Sequence, residues 1–174
     1  MQKITRGKHS SLKLAYTGGW IDGEGSIYIN KAKNKRSGSY QYILCVSTSN
    51  TDKGIIDWFK KEYKGFTTAL GYKVRNNPNH RLAYQWFSTT KTAYKFLKLI
   101  LPYLKVKRRQ AELAIKFQER KTKERGERKG KKLLKIQNDW RERYSQKMRK
   151  LNFSRYYLQP QRLNEETAKA DVIV

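Results

Sequence analysis

The chain carries two acidic residues and four glycines in one short stretch, Leu14-Ala15-Tyr16-Thr17-Gly18-Gly19-Trp20-Ile21-Asp22-Gly23-Glu24-Gly25. Ser10 or Ser11 can cap a helix that begins near Leu12 and ends at Asp22. A carboxylate at a helix C-terminus is unfavourable for folding, because the helix dipole is negative there. The acids therefore indicate binding, most simply of a divalent cation such as Mg²⁺, which prefers carboxylate, carbonyl and phosphate oxygens. A turn with a capping acid is the alternative.

Small residues line one face of the same helix. Spacings of i, i+3, i+4 and i+7 bring together Ala15, Gly18, Gly19 and Asp22. A glycine inside a helix costs roughly 1 kcal/mol relative to alanine, and close approach of a second helix would offset that cost. Because no other segment offers a matching face, the pattern predicts a homodimer with two copies of this helix across a two-fold axis.

The patterns that follow predict the order αββαββα. Alternation indicates strands over residues 26–33 and 40–48, and a second hairpin turns near residues 76–79. Helices begin at capping residues near 50–52 and 89–90, and the second of them stops at Pro102. The predicted class is α+β.

Strand alternation also predicts which side chains face the core. The residues expected to point inward are Ile27, Ile29, Leu70, Tyr72, Val74, Leu82, Tyr84 and Trp86. The phase of the second strand stays open, because its even-numbered and odd-numbered residues from Tyr42 to Val46 are both apolar.

Composition narrows the class of partner. In 174 residues the chain has 40 Lys and Arg against 14 Asp and Glu, a formal net charge of +26. The cations are spread over the chain with tyrosines and asparagines among them, which favours nucleic acid over a membrane surface. A heat-adapted surface rich in ion pairs is the weaker alternative, since acids are few. Cys45, His9 and His80 are too few for a disulfide framework or a Cys/His metal centre.

The N-terminal residues 1–11 are basic and polar, and no apolar run approaches the roughly 20 residues of a membrane helix. We therefore expect no membrane association, no secretion, and an intracellular protein with access to DNA, in the cytoplasm, the nucleoid or an organelle.

The stretch from Leu14 to Gly25 resembles the LAGLIDADG motif of homing endonucleases. Two other features resemble the single-motif, homodimeric members of that family: the helix start at Asn50-Thr51-Asp52 and the stretch Leu101-Pro102-Tyr103-Leu104-Lys105-Val106-Lys107-Arg108-Arg109-Gln110-Ala111. The sequence departs from the usual motif at Thr17 and Gly18, and at Glu24, where aspartate is common. The resemblance covers roughly residues 10–118.

The resemblance implies the αββαββα homing-endonuclease fold with a saddle-shaped antiparallel sheet, followed here by C-terminal helices. It further implies a homodimer that binds a long pseudo-palindromic duplex DNA site and hydrolyses both strands, leaving short 3′ overhangs. Mg²⁺ or another divalent cation such as Mn²⁺ is the implied cofactor, with no organic cofactor.

Site residues follow from the resemblance, position by position. Glu24 matches the metal-binding catalytic acid, and Gly23 matches the residue whose carbonyl helps to hold the ion. Lys107 matches the basic residue near the attacking water, and Ser49 falls where the family carries a polar, water-positioning residue. Asp22 matches the first acid of the motif, with a structural role at the dimer interface.

Outward-facing strand residues and nearby cations are expected to contact DNA, because a β-ribbon fits the major groove. They are Tyr28, Asn30, Asn34, Arg36, Tyr40, Tyr42, Lys53, Lys73, Arg75, Arg81, Gln85, Lys105, Lys107 and Arg109.

The C-terminal region is basic. We divide the chain into an endonuclease core, residues 1–118, and a basic helical extension packed on it, residues 119–174. Leu133, Trp140, Tyr144 and Met148 recur at helical spacing and predict a packed face. The remaining cations, expected to be free for phosphates, are Lys131, Lys132, Lys135, Arg141 and Arg149.

Another class of function stays open: a protein that binds nucleic acid without cutting it, as an intron RNA maturase or a DNA-binding regulator. The acids and Lys107 favour cleavage, because a pure binding protein gains nothing from a carboxylate directed at phosphate.

Overall fold

The computed structural model describes residues 9–35, 38–70, 82–128 and 135–157. The elements are α1 (Ser11–Glu24), β1 (Gly25–Lys33), β2 (Tyr40–Asn50), α2 (Lys53–Tyr63), β3 (Phe66–Leu70), β4 (Ala83–Thr89), α3 (Thr90–Ile100), a 3₁₀ turn (Leu101–Tyr103), α4 (Arg108–Arg128) and α5 (Lys135–Tyr157). The α+β class and the predicted order of the first seven elements are confirmed. No helix in these ranges has the length and apolar character that crossing a membrane requires.

The strands form one antiparallel sheet in the order β1-β2-β4-β3. Helices cover its inner face, and none of the described helices covers its outer face. The pairing Ile27↔Val46 settles the phase of β2, because residues directly opposite in a sheet share a face. Leu44 and Val46 are therefore in the core, whereas Cys45 lies on the outer face, opposite Tyr28.

The register corrects two of the expected inward residues. Thr67 pairs with the inward Trp86, and Leu70 follows Thr67 by three residues along β3. Because successive side chains of a strand alternate between the two faces, Leu70 and its partner Ala83 lie on the outer face. Leu82 precedes β4 and is 52% exposed. Tyr72 and Val74 lie outside the described residues.

Aromatic residues from three elements fill the core under the sheet. Phe59 of α2 packs on Trp86 of β4, and Trp86 packs edge-on against Phe96 of α3. The departure from the motif at Thr17 has a partner in this core: the Thr17 hydroxyl is fully buried and lies 2.6 Å from the Tyr63 hydroxyl. Burial of a polar side chain is tolerated there because it is hydrogen-bonded.

Helix α5 packs on α4 and on β1, which is an edge strand. Ser145 and Asn152 donate hydrogen bonds to the carbonyl oxygens of Ile29 and Ile27, at 3.3 and 3.1 Å. Unpaired strand edges promote unwanted pairing, so α5 protects this one. Trp140 and Met148, two of the residues expected on the packed face, belong to the same core as the sheet. Helix α4 runs without a break across residues 118 and 119.

Candidate active site

The chain passes from α1 directly into β1, and this junction places Glu24 at the surface. Gly25 is required there, because a Cβ would lie 2.7 Å from the Ile21 carbonyl oxygen. The junction is held from β2: Thr48 accepts a hydrogen bond from the Trp20 indole at 2.8 Å and lies 3.4 Å from the Glu24 carbonyl oxygen. The Glu24 side chain is thus presented on an anchored backbone.

Asp22 organises the segment that precedes α4. Its carboxylate accepts hydrogen bonds from three successive backbone N–H groups, those of Lys105, Val106 and Lys107, at 2.6, 3.0 and 2.7 Å. Bonds from N–H to carboxylate are charge-assisted and stronger than neutral ones. Asp22 therefore joins the end of α1 to the start of α4 within one subunit.

This junction fixes the position of the Lys107 ammonium. Its Nζ donates to the Asp22 carbonyl oxygen at 2.5 Å and lies 3.5 Å from the Gly23 carbonyl oxygen. These carbonyls end α1, where a positive charge is favourable. Lys107 is consequently held next to the backbone that carries Glu24.

Glu24 and Lys107 line one cleft of about 460 Å³. The Glu24 side chain is exposed and has no hydrogen-bond or ion-pair partner among the described residues. No group of three or more His, Cys, Asp or Glu exists in the described parts of one chain. The site thus offers a free carboxylate and nearby backbone carbonyls as possible metal ligands, with a fixed ammonium beside them.

Two lining residues were missed by sequence reasoning. Gln110 is 3% exposed, one turn after Lys107 on α4, so its position was a usable signal. Asn152 reaches the cleft from α5, and nothing in the sequence indicated that this helix returns to the site. The two are linked through α5, because the Gln110 side chain lies 3.4 Å from the Leu151 carbonyl oxygen.

Ser49, the predicted water-positioning residue, lies outside this cleft. It pairs with Gln85 of β4, beyond the last residue of β2 that faces β1, and it does not line the cleft. Ser47 is the serine opposite Ser26, which does line it.

The four residues expected at a dimer interface do not share one exposed face. Gly18 is buried within the subunit, because a Cβ there would lie 2.7 Å from the Tyr103 Cβ. Asp22 is occupied by the loop before α4. Gly18 and Asp22 thus have contacts within their own subunit, whereas Ala15 and Gly19 are exposed, and the interface itself stays a prediction.

Apart from Tyr40 and Tyr42, the residues expected to contact DNA divide into four groups. Tyr28, Asn30 and Gln85 lie on the outer face, and Asn34 begins the β1–β2 turn. Lys105 and Arg109 are exposed near the cleft, beside Lys107. Lys53 is exposed at the start of α2, 2.5 Å from Asp57. Arg36, Lys73, Arg75 and Arg81 lie outside the described residues.

Tyr42 is corrected, because it is buried on the inner side of β2, whereas Tyr40 has the same phase but is 43% exposed, so its contact with DNA stays a prediction. Tyr42 is 4% exposed and donates to Glu142 of α5 at 2.5 Å. The Lys31 ammonium lies over the Tyr40 ring, 4.4 Å from its centroid. Neither side chain lies on the outer face.

Arg141 is also corrected: it is 4% exposed and pairs with Glu124, so it is not free for phosphate. Lys131 and Lys132 lie outside the described residues, and only the backbone of Lys135 is described. Arg149 is exposed, as expected.

The outer face of the described strands carries no charged side chain. Its members are Ser26, Tyr28, Asn30, Ala32, Gln41, Ile43, Cys45, Ser47, Ser49, Phe66, Thr68, Leu70, Ala83, Gln85, Phe87 and Thr89. The exposed cations of the described chain therefore lie outside this surface, on the helices, in turns and at strand ends.

No protein-family model matches the chain. The DNA endonuclease I-CreI of Chlamydomonas reinhardtii is 30% identical over 110 residues, which are 63% of this chain and 64% of that protein, so the chain matches less than two thirds of its curated relative. Among solved structures, the archaeal intron-encoded homing endonuclease I-Vdi141I complexed with DNA matches with a TM-score of 0.63 and 16% identity, over 82% of this chain and 86% of that one. The LAGLIDADG homing endonuclease I-LtrWI bound to target DNA matches with a TM-score of 0.57 and 17% identity, over 84% and 47%.

The chain has the fold of the LAGLIDADG homing endonucleases. The curated relative that the chain matches, I-CreI, is a DNA endonuclease.

Proposed function

We propose that the chain is a LAGLIDADG homing endonuclease of the single-motif type. It binds a long pseudo-palindromic duplex DNA site as a homodimer and hydrolyses both strands with a divalent cation, leaving short 3′ overhangs. Such an enzyme works inside the cell, where it has access to DNA. The observation that carries the proposal is the unpartnered carboxylate of Glu24, presented beside the fixed ammonium of Lys107 in one cleft.

Dimerisation is supported by an exposed stripe on α1. Leu12 is 82% exposed and Tyr16 is 52% exposed, and Gly19 and Gly23 continue their line along the helix. Among the described residues, leaving aside α1's own backbone, no atom lies within 4 Å of a Cβ built at either glycine. Internal packing therefore does not require glycine at these two positions, whereas close approach of a second α1 does. An exposed apolar stripe of this kind marks an interaction site.

The two-fold arrangement also accounts for the incomplete donor set. Glu24 directly follows the stripe, so pairing of two α1 helices brings the two carboxylates towards each other. Like charges at short range are unfavourable unless a cation lies between or beside them. Carboxylate and backbone carbonyl oxygens suit Mg²⁺ or Mn²⁺, with Glu24 and the Gly23 carbonyl as the donors of each subunit. A divalent cation bound there would activate water and stabilise charge on phosphate.

The remaining residues of the cleft have defined tasks. Lys107 stabilises negative charge that develops on the phosphate, and it is effective because its ammonium is already held in place. Asp22 is a positioning residue: it holds the backbone of Lys107 through three hydrogen bonds. Lys105 and Arg109 flank the cleft and bind adjoining phosphates.

Bases are read by the outer face of the sheet. Asn30 and Gln85 have amide side chains that suit the paired donor and acceptor of adenine in the major groove. Phe66 and Phe87 stack at 5.4 Å between centroids on the same face, and Phe66 is 61% exposed. Apolar rings favour contact with thymine methyl groups. The described part of the surface thus favours A·T pairs.

The alternative, a binding protein that does not cut, is disfavoured by Glu24. A carboxylate that neither caps a helix nor pairs with a cation reduces the affinity of a surface for phosphate. A cleaving enzyme needs that carboxylate, and a binding protein does not.

The decisive experiment combines selection and mutation. Sites are selected from a random duplex library by cleavage with Mg²⁺, and the recovered site is then tested with Glu24→Gln and with Glu112→Gln. Glu112 pairs with Arg108 on the surface of α4, so its change is the matched control. We expect Glu24→Gln to bind DNA but not cut it, while the control cuts normally. Cleavage by Glu24→Gln at the rate of the unmodified protein, or no cleavage by any form, would overturn the proposal.

A further inference from the structure

A second cleft, of about 600 Å³, lies between the first turn of α3 and the C-terminal half of α4. Thr90 and Lys91 line it from α3. The α4 residues that line it recur at helical spacing and so share one face: Gln118, Lys121, Thr122, Arg125 and Gly126. The cleft belongs to no part of the candidate active site.

The cleft lies where β2 extends beyond the end of β4. Strand β4 stops at Thr89, opposite Cys45, whereas β2 begins at Tyr40 and so extends beyond that pair. The Lys121 ammonium donates to the carbonyl oxygen of Tyr42, on the part of β2 that β4 does not cover. The cleft therefore adjoins the rim of the surface assigned to DNA.

Positive charge in the cleft is not neutralised. Lys91, Lys121 and Arg125 form no ion pair with any carboxylate in the described ranges. Burial, with the nearby charges of Arg141 and Arg125, lowers the pKa of Lys121. A bound anion would relieve this repulsion.

The backbone adds hydrogen-bond donors. Helix α3 has eleven residues, and its N-cap Thr89 makes no side-chain hydrogen bond to the first turn. The first N–H groups of a helix have no partner within the helix and carry partial positive charge, so they suit an anion. Thr90 also has φ +50, which is uncommon for a β-branched residue.

Gln118 gives independent support. It is 6% exposed and lines the cleft, and its Oε1 has no hydrogen-bond partner among the described residues. Its Nε2 lies 3.3 Å from the Thr122 hydroxyl oxygen. A half-turn of the amide lets the Thr122 hydroxyl donate to Oε1 and directs Nε2 to the place that now lacks a partner. The Gln118 amide thus supplies a polar group to the buried wall of the cleft.

We propose that this cleft binds a backbone phosphodiester of DNA, outside the base-reading surface. The inference rests on the proposed function, because it takes the duplex to lie on the outer face. The described strands offer no charge there, so phosphate contacts come from the rim, and this cleft is a rim site with three cations and helix N–H groups.

The test compares two double variants of equal charge change. Lys91→Gln with Arg125→Gln alters the cleft, and Lys95→Gln with Lys123→Gln alters exposed cations of the same two helices that do not line it. Binding to the selected duplex is measured by fluorescence anisotropy over a series of salt concentrations. Losing one phosphate contact in each subunit is expected to reduce the slope of log affinity against log salt by roughly 1.8. The control pair is expected to keep the slope of the unmodified protein.

A second measurement does not depend on recognition or cleavage. Inorganic phosphate is titrated into ¹⁵N-labelled protein, and the backbone amides of Thr90 and Lys91 are followed by NMR. We expect them to shift in the unmodified protein and in the control pair, but not in the cleft pair. Equal salt slopes for the two pairs, or unmoved amides in the unmodified protein, would refute the phosphate site. If the unmodified protein does not cleave DNA but its Thr90 and Lys91 amides shift with phosphate, the result would instead count against the proposed function.

Discussion

At the scale of single residues, two neighbouring positions of α1 carry glycine for different reasons. Residue 18 must be small because Tyr103 of the same subunit lies against it, and a Cβ at Gly18 would be 2.7 Å from the Tyr103 Cβ. Gly19 has open space above it. The first glycine is required by the fold of the subunit, whereas the second is not and is assigned to the proposed dimer contact.

Substitution by alanine separates these roles. We expect Gly18→Ala to lower the free energy of unfolding by about 1–3 kcal/mol at every protein concentration, because the added methyl group meets backbone and Cβ atoms. Gly19→Ala is expected to leave the isolated subunit unchanged or up to about 1 kcal/mol more stable, since alanine favours a helix. Urea denaturation at several protein concentrations measures both. An equal loss for the two variants would contradict this assignment.

Glu142 makes stability depend on pH. Hydrogen bonds from Lys31 and from the Tyr42 hydroxyl lower the pKa of Glu142 to about 2. The unfolded chain has the ordinary, higher value, so the contribution is complete above about pH 4.5 and is lost as the pH falls towards 2. We expect it to be on the order of 1 kcal/mol for this partly exposed group. Glu142→Gln should flatten this part of the stability profile, and an unchanged profile would disprove the contribution.

At the scale of elements, α1 has two working faces. Thr17, Gly18 and Ile21 are buried in the subunit, whereas the opposite side presents Leu12 and Tyr16 to solvent. A surface helix of a monomer normally exposes polar residues on its outer side. The proposed homodimer would cover this apolar outer side with a second copy of α1.

A leucine at position 19 is expected to separate that assembly. In the proposed homodimer, Gly19→Leu places a large side chain where two helices approach closely, so we expect sedimentation to show monomers for this variant and a dimer for the unmodified chain. Gly126→Leu is the matched control, because that glycine also has nothing within 4 Å of its Cβ position but lies on α4. A monomeric unmodified chain at micromolar concentration would refute the two-fold arrangement.

At the scale of the whole molecule, the basic C-terminal helices are part of one core with the sheet. Phe117 of α4 packs against Trp140 and Tyr144 of α5, and Met148 is 1% exposed. Asn152 then reaches the cleft that contains Glu24. The C-terminal region therefore stabilises the sheet and borders the candidate active site.

Truncation tests this joint core. A chain ending at residue 128 lacks Trp140 and Met148 and leaves Phe117 and the β1 edge uncovered. We expect it to aggregate or to show a much lower midpoint in thermal unfolding, as large losses of buried apolar surface do. A chain ending at residue 157 keeps every described contact and is the control. Equal midpoints for the two truncated chains would show that α5 is dispensable.

Local pattern in the sequence was sufficient for the elements and for the central acid. Ser10 caps α1 and Asp52 caps α2, each with its side chain, and Glu24 and Lys107 share a cleft as the motifs implied. These features depend on residues close together in the chain, or on a motif whose spacing reflects one geometry. The α+β class followed from the same local signals.

Strand pairing and helix docking decided the rest. Which face of β2 is buried depends on Ile27↔Val46, and the outward position of Leu70 depends on its pairing with Ala83, both contacts between distant residues. A one-residue change of register moves a side chain to the other face, so alternation alone could not place them. Tyr42 and Arg141 looked like surface residues until α5 and Glu124 supplied their partners. The sequence by itself determined the elements and the acid of the site, and the tertiary structure decided which neighbours those residues have.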